Sequence, residues 1–171
     1  MSMIFLIGMP GVGKSYWAEK LALANNIPHI DLDMLIEQKE GQSISSLFNT
    51  QGEAYFREIE TTILNEIIDN NNSNAIIACG GGTPCFADNL TQMKKAGKTI
   101  YLHADVDLLI SRLQNEREKR PLLQVEDMSV HLQQLLNMRD HIYEQADYIL
   151  DAKDISLSTF DKIISSCINR P

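Results

Sequence analysis

Short, mostly apolar runs alternate along the chain with longer stretches whose apolar residues recur at helical spacing. The runs predict five strands, at Met3–Ile7, Pro28–Asp31, Ala75–Cys79, Thr99–His103 and Tyr148–Asp151. Helical faces are predicted between them, one by Phe56, Ile59, Ile63, Leu64, Ile67 and Ile68 and another by Val106, Leu109, Ile110 and Leu113. This alternation predicts an α/β fold with a parallel sheet covered by helices on both faces. Because ligands of such sheets bind beyond the carboxyl ends of the strands, the residues after each strand are the candidates for chemistry.

The first strand leads into the sequence GMPGVGKS, residues 8–15, which has the spacing G-x-x-x-x-G-K-S of a P-loop. Glycines allow the backbone to curl so that successive N–H groups point at one anion, and the following helix adds its positive N-terminal end. Lys14 would reach the β- and γ-phosphates, and Ser15 would ligate Mg²⁺. An ordinary glycine-rich turn is the alternative, but eight matched positions between a strand and a helix favour a nucleoside triphosphate site.

Two aspartates, Asp31 and Asp33, follow the second predicted strand. One interpretation is that one of them caps a helix while the other is solvated. The other is that one carboxylate supports the Mg²⁺ shell while its neighbour accepts a proton from an attacking hydroxyl. Their position beside a triphosphate site favours the functional interpretation.

Three successive glycines, Gly80, Gly81 and Gly82, follow the third predicted strand. A flexible turn would explain the glycines alone. Their position at a strand end favours a site lined by backbone, which a ligand approaches without meeting a side chain.

Arginines form a third group of candidates. Arg57 has a glutamate one helical turn away on each side, so a surface ion pair is the simplest account of it. The charged segment 115–127 would suit a flap that brings Arg117 and Arg120 to a nucleotide, although a solvated loop fits its composition equally well. Arg139 lies within an apolar helical face, so it either extends its charge to solvent or turns into a cleft that holds an anion, and we favour the cleft.

Composition restricts the class of protein. With 171 residues, 44% of them hydrophobic and 22% charged, the chain fits one soluble domain. A net charge of −8 argues against general binding to nucleic acid, which needs a basic face. The chain has three cysteines without metal-ligand spacing, which indicates free thiols in a reducing compartment. No apolar run in the sequence approaches the length of a membrane span, and no basic leader precedes the first strand, so we expect a cytoplasmic protein without membrane association.

Taken together, these stretches resemble the shikimate kinase family. The resemblance rests on GMPGVGKS (8–15), DLD (31–33), FREIE (56–60), GGG (80–82), RPLL (120–123) and MRDHIYEQAD (138–147), in the order and approximate spacing of that family. It implies a single domain, 1–171, with the three-layer α/β/α fold of nucleoside-monophosphate kinases and a five-stranded parallel sheet. Residues 32–62 would form the substrate-binding region and residues 115–127 the lid. The implied reaction is ATP-dependent phosphorylation of the 3-hydroxyl of shikimate, in the pathway to chorismate and the aromatic amino acids. We expect the protein to be a monomer.

The resemblance also implies roles for individual residues. The nucleotide would be bound by Gly11, Val12, Gly13, Lys14, Ser15, Tyr16, Arg117 and Arg120, with Arg117 stacking on adenine. Ser15 and Asp31 would hold Mg²⁺, the latter through water. Shikimate would contact Asp33, Arg57, Gly80, Gly81, Gly82 and Arg139, with both arginines on its carboxylate. Lys14, Asp33 and Arg120 would be the catalytic residues.

Two positions depart from the family pattern: Tyr16 and Cys79 stand where threonine is frequent.

Two other functions remain in consideration. A small-molecule P-loop kinase of the gluconate or nucleoside-monophosphate type would share the P-loop, but it has no reason for two carboxylate-directed arginines. A regulatory nucleotide-binding module would normally have lost Lys14, Asp33 or Arg120, all of which are present.

Overall fold

A computed structural model describes residues 3–70, 74–115 and 125–167. Its strands are β1 (Met3–Ile7), β2 (His29–Asp31), β3 (Ala75–Ala78), β4 (Gly97–His103) and β5 (Tyr148–Asp151). All five predicted strands are therefore present, with β2 and β3 one residue shorter and β4 two residues longer than predicted.

The strands form one parallel sheet in the order β2-β3-β1-β4-β5. Strand β1 lies at the centre, and each of its residues is buried, because it has a strand on both sides and helices above and below. The edge strand β5 alternates between half-buried and exposed residues. The predicted α/β fold with a five-stranded parallel sheet is confirmed.

Eight α-helices and one 3₁₀ helix connect and cover the strands in the described part of the chain. They are α1 (Lys14–Asn25), α2 (Leu32–Glu40), α3 (Ile44–Thr50), α4 (Gly52–Asn70), the 3₁₀ helix (Thr83–Cys85), α5 (Asn89–Ala96), α6 (Val106–Asn115), α7 (Val125–Tyr143) and α8 (Leu157–Cys167). The predicted apolar face of α4 is buried at Phe56, Ile63, Leu64 and Ile67, while Ile59 and Ile68 pack against the core partly buried. Helical periodicity thus identified the face of α4 that packs into the core.

The topology creates a crevice at one edge of the sheet. The chain passes from β1 to β2, returns to β3 beside β1, and then crosses to β4 on the far side of β1. The connection after β1 thus runs toward β2, whereas the connection after the neighbouring strand β3 runs toward β4. The loops that follow these two strands therefore leave the sheet in opposite directions. In open parallel sheets this switch point is where ligands bind. Here it is flanked by the P-loop after β1 and by the three glycines after β3.

The predicted lid falls largely outside the described residues. Asn115 ends α6 and Val125 begins α7, so both flanks of the segment 115–127 are helical. The proposed substrate-binding region, 32–62, consists of α2, α3 and the first half of α4, and these helices contact one another. No helix in the described part of the chain is long and apolar enough to cross a membrane.

Candidate active site

The P-loop curls because all three of its glycines adopt backbone conformations with positive φ, that of Gly8 being 137°. Gly11 has a φ of 81° and Gly13 a φ of 98°, values that residues with a Cβ rarely adopt. Gly13 is also the residue that precedes the first turn of α1. The N–H groups at the start of α1, including those of Ser15 and Tyr16, have no partners within the helix and face the crevice with its positive end. This is the geometry that holds a polyphosphate.

Lys14 is held inside this loop. Its side chain is buried, and its ammonium donates hydrogen bonds of 2.9 Å to the carbonyl oxygens of Gly8 and Met9. Burial lowers the pKa of Lys14 from 10.5 to about 8, an effect that the nearby Asp33 carboxylate opposes. The loop therefore holds a partly desolvated cation, which an anion in the crevice would stabilise strongly.

A cavity of about 320 Å³ joins the ends of β1, β2 and β3. Its lining contains Pro10, Gly11, Gly13, Lys14, Ser15, Tyr16, Asp31, Asp33, Cys79, Gly81 and Leu113. The predicted phosphate loop, the aspartate pair and one of the three glycines are thus brought together around one space. Burial raises the pKa of the Cys79 thiol, so this side chain contributes as a neutral group.

The two aspartates have different surroundings. Asp31 caps α2, because its Oδ1 accepts a hydrogen bond of 3.1 Å from the backbone N–H of Met34, yet it also lines the cavity. Asp33 is half-buried, and its carboxylate makes no hydrogen bond to another described residue. Burial raises the pKa of Asp33 to about 6, although Lys14 attracts the charged form. Capping and ligand binding are therefore compatible at Asp31, and Asp33 presents an unpaired carboxylate beside the lysine.

Each of the three glycines provides room for a different neighbour. A Cβ on Gly80 would lie 2.7 Å from Asp33 Oδ1, and a Cβ on Gly81 would lie 2.8 Å from the ring of Pro10. A Cβ on Gly82 would lie 2.5 Å from Nη1 of Arg57. The turn after β3 consists of glycine because side chains from the P-loop, α2 and α4 all pack against its backbone.

Arg57 lies on the inner face of α4. Its Nη1 donates a hydrogen bond of 2.8 Å to Oε2 of Glu60, whose side chain is fully buried, while Glu53 pairs with it on the exposed side. Its Cζ lies 4.2 Å from the ring centre of Phe86 and 5.0 Å from that of Phe56. The prediction of a surface ion pair applies only to Glu53. The pair with Glu60 and the stacked rings hold the guanidinium in one orientation against Gly82.

Arg139, on α7, is turned toward the same region. It lies beside Tyr143 and near Lys14 and Cys85. Burial lowers the pKa of Lys14 and raises the pKa of Cys85, and the charge of Arg139 adds to the first shift and opposes the second. The Tyr143 hydroxyl in turn donates to the carbonyl oxygen of Gly81. This arrangement favours the cleft over extension to solvent for Arg139.

A second cavity, of about 510 Å³, adjoins the outer side of the P-loop. It is lined by Gly11, Gly13, Tyr16, Trp17, Arg112, Ala152, Lys153 and Ile155. Arg112 connects its walls, because Nη1 donates to the carbonyl oxygen of Val12 at 2.6 Å and Nη2 to that of Ala152 at 2.9 Å. Since Gly11, Gly13 and Tyr16 line both cavities, the two spaces adjoin each other on either side of the P-loop.

Sequence reasoning missed three residues of this site. Arg112 was overlooked, although a basic residue in the last turn of an amphipathic helix just before the charged segment was a usable signal. The sequence pattern indicates Glu60 only as a partner of Arg57, and it does not indicate Thr83. Arg117 and Arg120, the predicted nucleotide-binding arginines, lie outside the described residues.

At the switch point of a parallel sheet, a buried P-loop lysine lies beside the carboxylate of Asp33, which has no hydrogen bond to the described residues, and Arg57 packs against the adjoining glycine turn. This combination defines a P-loop kinase that acts on a small anionic molecule. Residues 10–169 match the family model described as shikimate kinase, and the chain belongs to this family.

Curated relatives and solved structures agree with this assignment. The shikimate kinase of Bacteroides thetaiotaomicron is 38% identical over 158 residues, which cover 91% of this chain and 89% of the relative. A crystal structure of shikimate kinase from that organism matches with a TM-score of 0.89 at 32% identity, covering 96% of this chain and 98% of the other. The Acinetobacter baumannii shikimate kinase in complex with shikimate matches with a TM-score of 0.85 at 32% identity, covering 99% and 96%.

The alternative kinase type shares only the fold. A gluconokinase from Sinorhizobium meliloti matches with a TM-score of 0.57 at 14% identity, over 94% of this chain and 87% of that protein.

Proposed function

We propose that this protein transfers the terminal phosphoryl group of ATP to the 3-hydroxyl of shikimate, giving shikimate 3-phosphate and ADP, on the route to chorismate and the aromatic amino acids. The observation that carries the proposal is the placement of Arg57. Its guanidinium is fixed by the buried Glu60 and by aromatic rings, at the end of the glycine turn that borders Lys14 and Asp33. An acceptor that carries both a carboxylate and hydroxyl groups fits this site, because its carboxylate would pair with Arg57 and a hydroxyl would lie beside Lys14 and Asp33.

The nucleotide side is formed by the P-loop. The backbone of Gly11, Val12 and Gly13 and the N–H groups that begin α1 would surround the β- and γ-phosphates, with Lys14 neutralising the transferred group. ATP and Mg²⁺, when bound, supply the transferable phosphoryl group and neutralise its charge.

Two oxygen groups beside the P-loop suit a Mg²⁺ ion. The hydroxyl of Ser15 is exposed in the cavity, and Asp31 uses Oδ1 for its helix cap, which leaves Oδ2 for a metal-bound water. Mg²⁺ prefers oxygen ligands and retains several waters, so few protein groups are needed. The residues present therefore fit the ion, and Ser15 and Asp31 are the groups that would hold it.

The acceptor side is formed by Asp33. Its carboxylate lies on the cavity wall beside Lys14 and has no hydrogen bond to the described protein, so it is available to a substrate hydroxyl. Asp33 orients the hydroxyl toward the phosphoryl group and accepts its proton. Because phosphoryl transfer has a loose transition state, positioning contributes more than proton removal.

The substrate carboxylate is recognised by arginine. Arg57, on α4, lies against the glycine turn, and Arg139, on α7, lies beside Tyr143, whose hydroxyl donates to the turn at Gly81. Forked guanidinium donors match a carboxylate better than a lysine does, and each charged hydrogen bond contributes about 1.5–3 kcal/mol. The backbone of Gly80, Gly81 and Gly82 would lie against the ring of shikimate.

The remaining assignments follow from the family pattern. We propose that residues 1–171 form one domain, that 32–62 bind shikimate, and that 115–127 close as a lid that brings Arg120 to the phosphates and Arg117 to the adenine. Lid closure excludes water from the transfer. Protease cleavage within 115–127 should therefore slow when nucleotide and shikimate are both present, and unchanged cleavage would contradict a closing lid. We also propose a cytoplasmic monomer, and the three free cysteines support a reducing compartment.

Release of ADP from ATP tests the proposed function. The protein should release ADP rapidly with shikimate and only at a background rate with gluconate or nucleoside monophosphates. Equal or faster turnover of gluconate or a nucleoside monophosphate would support the alternative kinase type. No turnover of any acceptor, combined with tight ATP binding, would support a regulatory nucleotide-binding module.

A further inference from the structure

Thr83, the residue directly after the glycine turn, is a buried polar residue to which the proposed function gives no task. Its hydroxyl donates a hydrogen bond of 2.5 Å to Oε1 of Glu60, and neither residue is exposed to solvent. Its backbone N–H donates to the carbonyl oxygen of Gly80 at 3.2 Å, which closes the turn. Thr83 therefore connects the glycine turn to the carboxylate that pairs with Arg57.

The Glu60 carboxylate is divided between two donors. Oε1 accepts from Thr83, and Oε2 accepts from Nη1 of Arg57 at 2.8 Å. A carboxylate with a donor on each oxygen has one orientation, whereas loss of one donor leaves a buried oxygen unsatisfied and lets the group rotate. The direction in which Glu60 presents its charge to Arg57 thus depends on the hydroxyl of Thr83.

The same hydroxyl affects the surroundings of Asp33. Asp33 Oδ1, Glu60 Oε1 and Thr83 Oγ1 all lie within 3 Å of the point that a Cβ on Gly80 would occupy, at 2.7, 2.8 and 2.9 Å. A threonine hydroxyl has one proton to donate, and here Glu60 receives it. The oxygens of Asp33 consequently stay available for a substrate hydroxyl.

Asn89, on α5, holds the backbone of Thr83 in place. Its buried side-chain amide donates to the carbonyl oxygen of Thr83 at 2.9 Å and to the hydroxyl of Thr61 at 3.1 Å. Thr83 is therefore held to α4 and α5 through its backbone, independently of its own hydroxyl. Removing only the hydroxyl should leave the backbone of the turn in place.

We propose that Thr83 is a positioning residue for recognition of the substrate carboxylate, acting through Glu60 on the guanidinium of Arg57. The inference rests on the proposed function, because the carboxylate in question is that of shikimate. It assigns the hydroxyl at position 83 to substrate affinity rather than to folding alone.

The test compares Thr83→Val, which removes the hydroxyl at constant shape, with Thr83→Ser, which retains it. The valine variant should raise KM for shikimate by about fivefold to tenfold, with kcat and the KM for ATP changed less than about twofold. The serine variant should restore most of the affinity. Shikimate with its carboxylate replaced by a primary amide should show hardly any difference between wild type and Thr83→Val.

Thr99→Val is the matched control for a purely structural effect. Thr99 is also fully buried and its hydroxyl also donates to a carboxylate, that of Asp147 at 2.9 Å, but it lies on β4 away from the glycine turn. This variant should lower the unfolding temperature without changing KM for shikimate. If Thr83→Val fails to fold, Thr83→Ala gives the same comparison with a smaller side chain.

The outcomes separate the inference from the proposed function. An unchanged KM for shikimate in both hydroxyl-free variants, with an active wild type, would overturn the role of Thr83 alone. An equal loss for shikimate and its amide, or a loss that serine does not restore, would also overturn it. A wild type that does not phosphorylate shikimate would overturn the proposed function, and the inference with it.

Discussion

The guanidinium of Arg57 lies directly against the backbone of Gly82, so that a Cβ at this glycine would come within 2.5–2.7 Å of Nη1, Nη2 and Cζ. Gly82 itself has ordinary helical backbone angles, with φ −89° and ψ −18°. Its lack of a side chain therefore serves the arginine and not a special turn.

Gly82→Ala should accordingly disturb substrate binding without straining the backbone. The added methyl group must displace the guanidinium, so KM for shikimate should rise by about tenfold or more, while KM for ATP stays within about twofold. Steady-state kinetics with each substrate varied in turn measures both values. An unchanged KM for shikimate would show that Arg57 does not bind the substrate from its position in this structure.

Lys14→Met should abolish turnover in a folded protein. The lysine neutralises charge on the transferred phosphoryl group, and loss of such a stabilising group costs about 100-fold or more in kcat. Burial lowers the pKa of Lys14 to about 8, which means that keeping this buried ammonium charged at neutral pH lowers the free energy of unfolding. An uncharged methionine does not have this desolvation cost. Methionine also leaves the carbonyl oxygens of Gly8 and Met9 without their donor, so a cooperative thermal unfolding transition is the check that the variant is folded. A variant with nearly normal kcat would remove the P-loop lysine from the mechanism.

Asp33→Asn should stabilise the protein at neutral pH but not at acid pH. Burial raises the pKa of Asp33 from 3.8 to about 6, so between these values the folded state binds more protons than the unfolded state. Wild-type stability due to this group thus falls as the pH rises from about 4 to about 6, whereas asparagine does not titrate. Thermal unfolding with EDTA, at several values between about pH 4.5 and pH 7.5, measures the difference.

The stabilisation of the asparagine variant should grow over that range and level off above about pH 6. A difference that is independent of pH would contradict the burial of a charged Asp33. The same variant should lose kcat with little change in affinity for ATP, because the carboxylate serves the acceptor. Equal loss of ATP binding would place Asp33 on the nucleotide side instead.

Arg112→Ala should weaken the nucleotide site selectively. Without the guanidinium, the carbonyl oxygens of Val12 and Ala152 lose their donor and the walls of the second cavity separate. KM for ATP should rise by about tenfold with KM for shikimate unchanged. Trp17, the only tryptophan, lines that cavity and provides a fluorescence titration of nucleotide binding. Arg57→Ala, which should show the reverse pattern, is the control; an identical pattern in both would contradict the assignment.

Local patterns were sufficient for much of the fold and for part of the site. The strands and the face of α4 were predictable because burial imposes a period on neighbouring residues, and the P-loop because its chemistry occupies consecutive positions. The contacts of Arg112 were not predictable, since its partner Val12 is 100 positions away and only the winding of the sheet brings them together.

The link between Thr83 and Glu60 escaped prediction for the same reason. The two residues are 23 positions apart, on different elements, and no local sequence pattern pairs them. The glycine turn was predicted to meet a ligand through its backbone. The structure adds a second reason for the three glycines, which is the close approach of Asp33, Pro10 and Arg57.

The central claim is that this kinase recognises its acceptor by a carboxylate held between Arg57 and Arg139. The most direct measurement compares kcat/KM for shikimate with that for its primary amide, in wild type and in the double variant Arg57→Ala, Arg139→Ala. Each charged contact contributes about tenfold to a hundredfold in affinity, so wild type should strongly prefer the carboxylate and the double variant should hardly discriminate. Equal discrimination by both proteins would contradict the carboxylate clamp and favour an acceptor of the gluconate type.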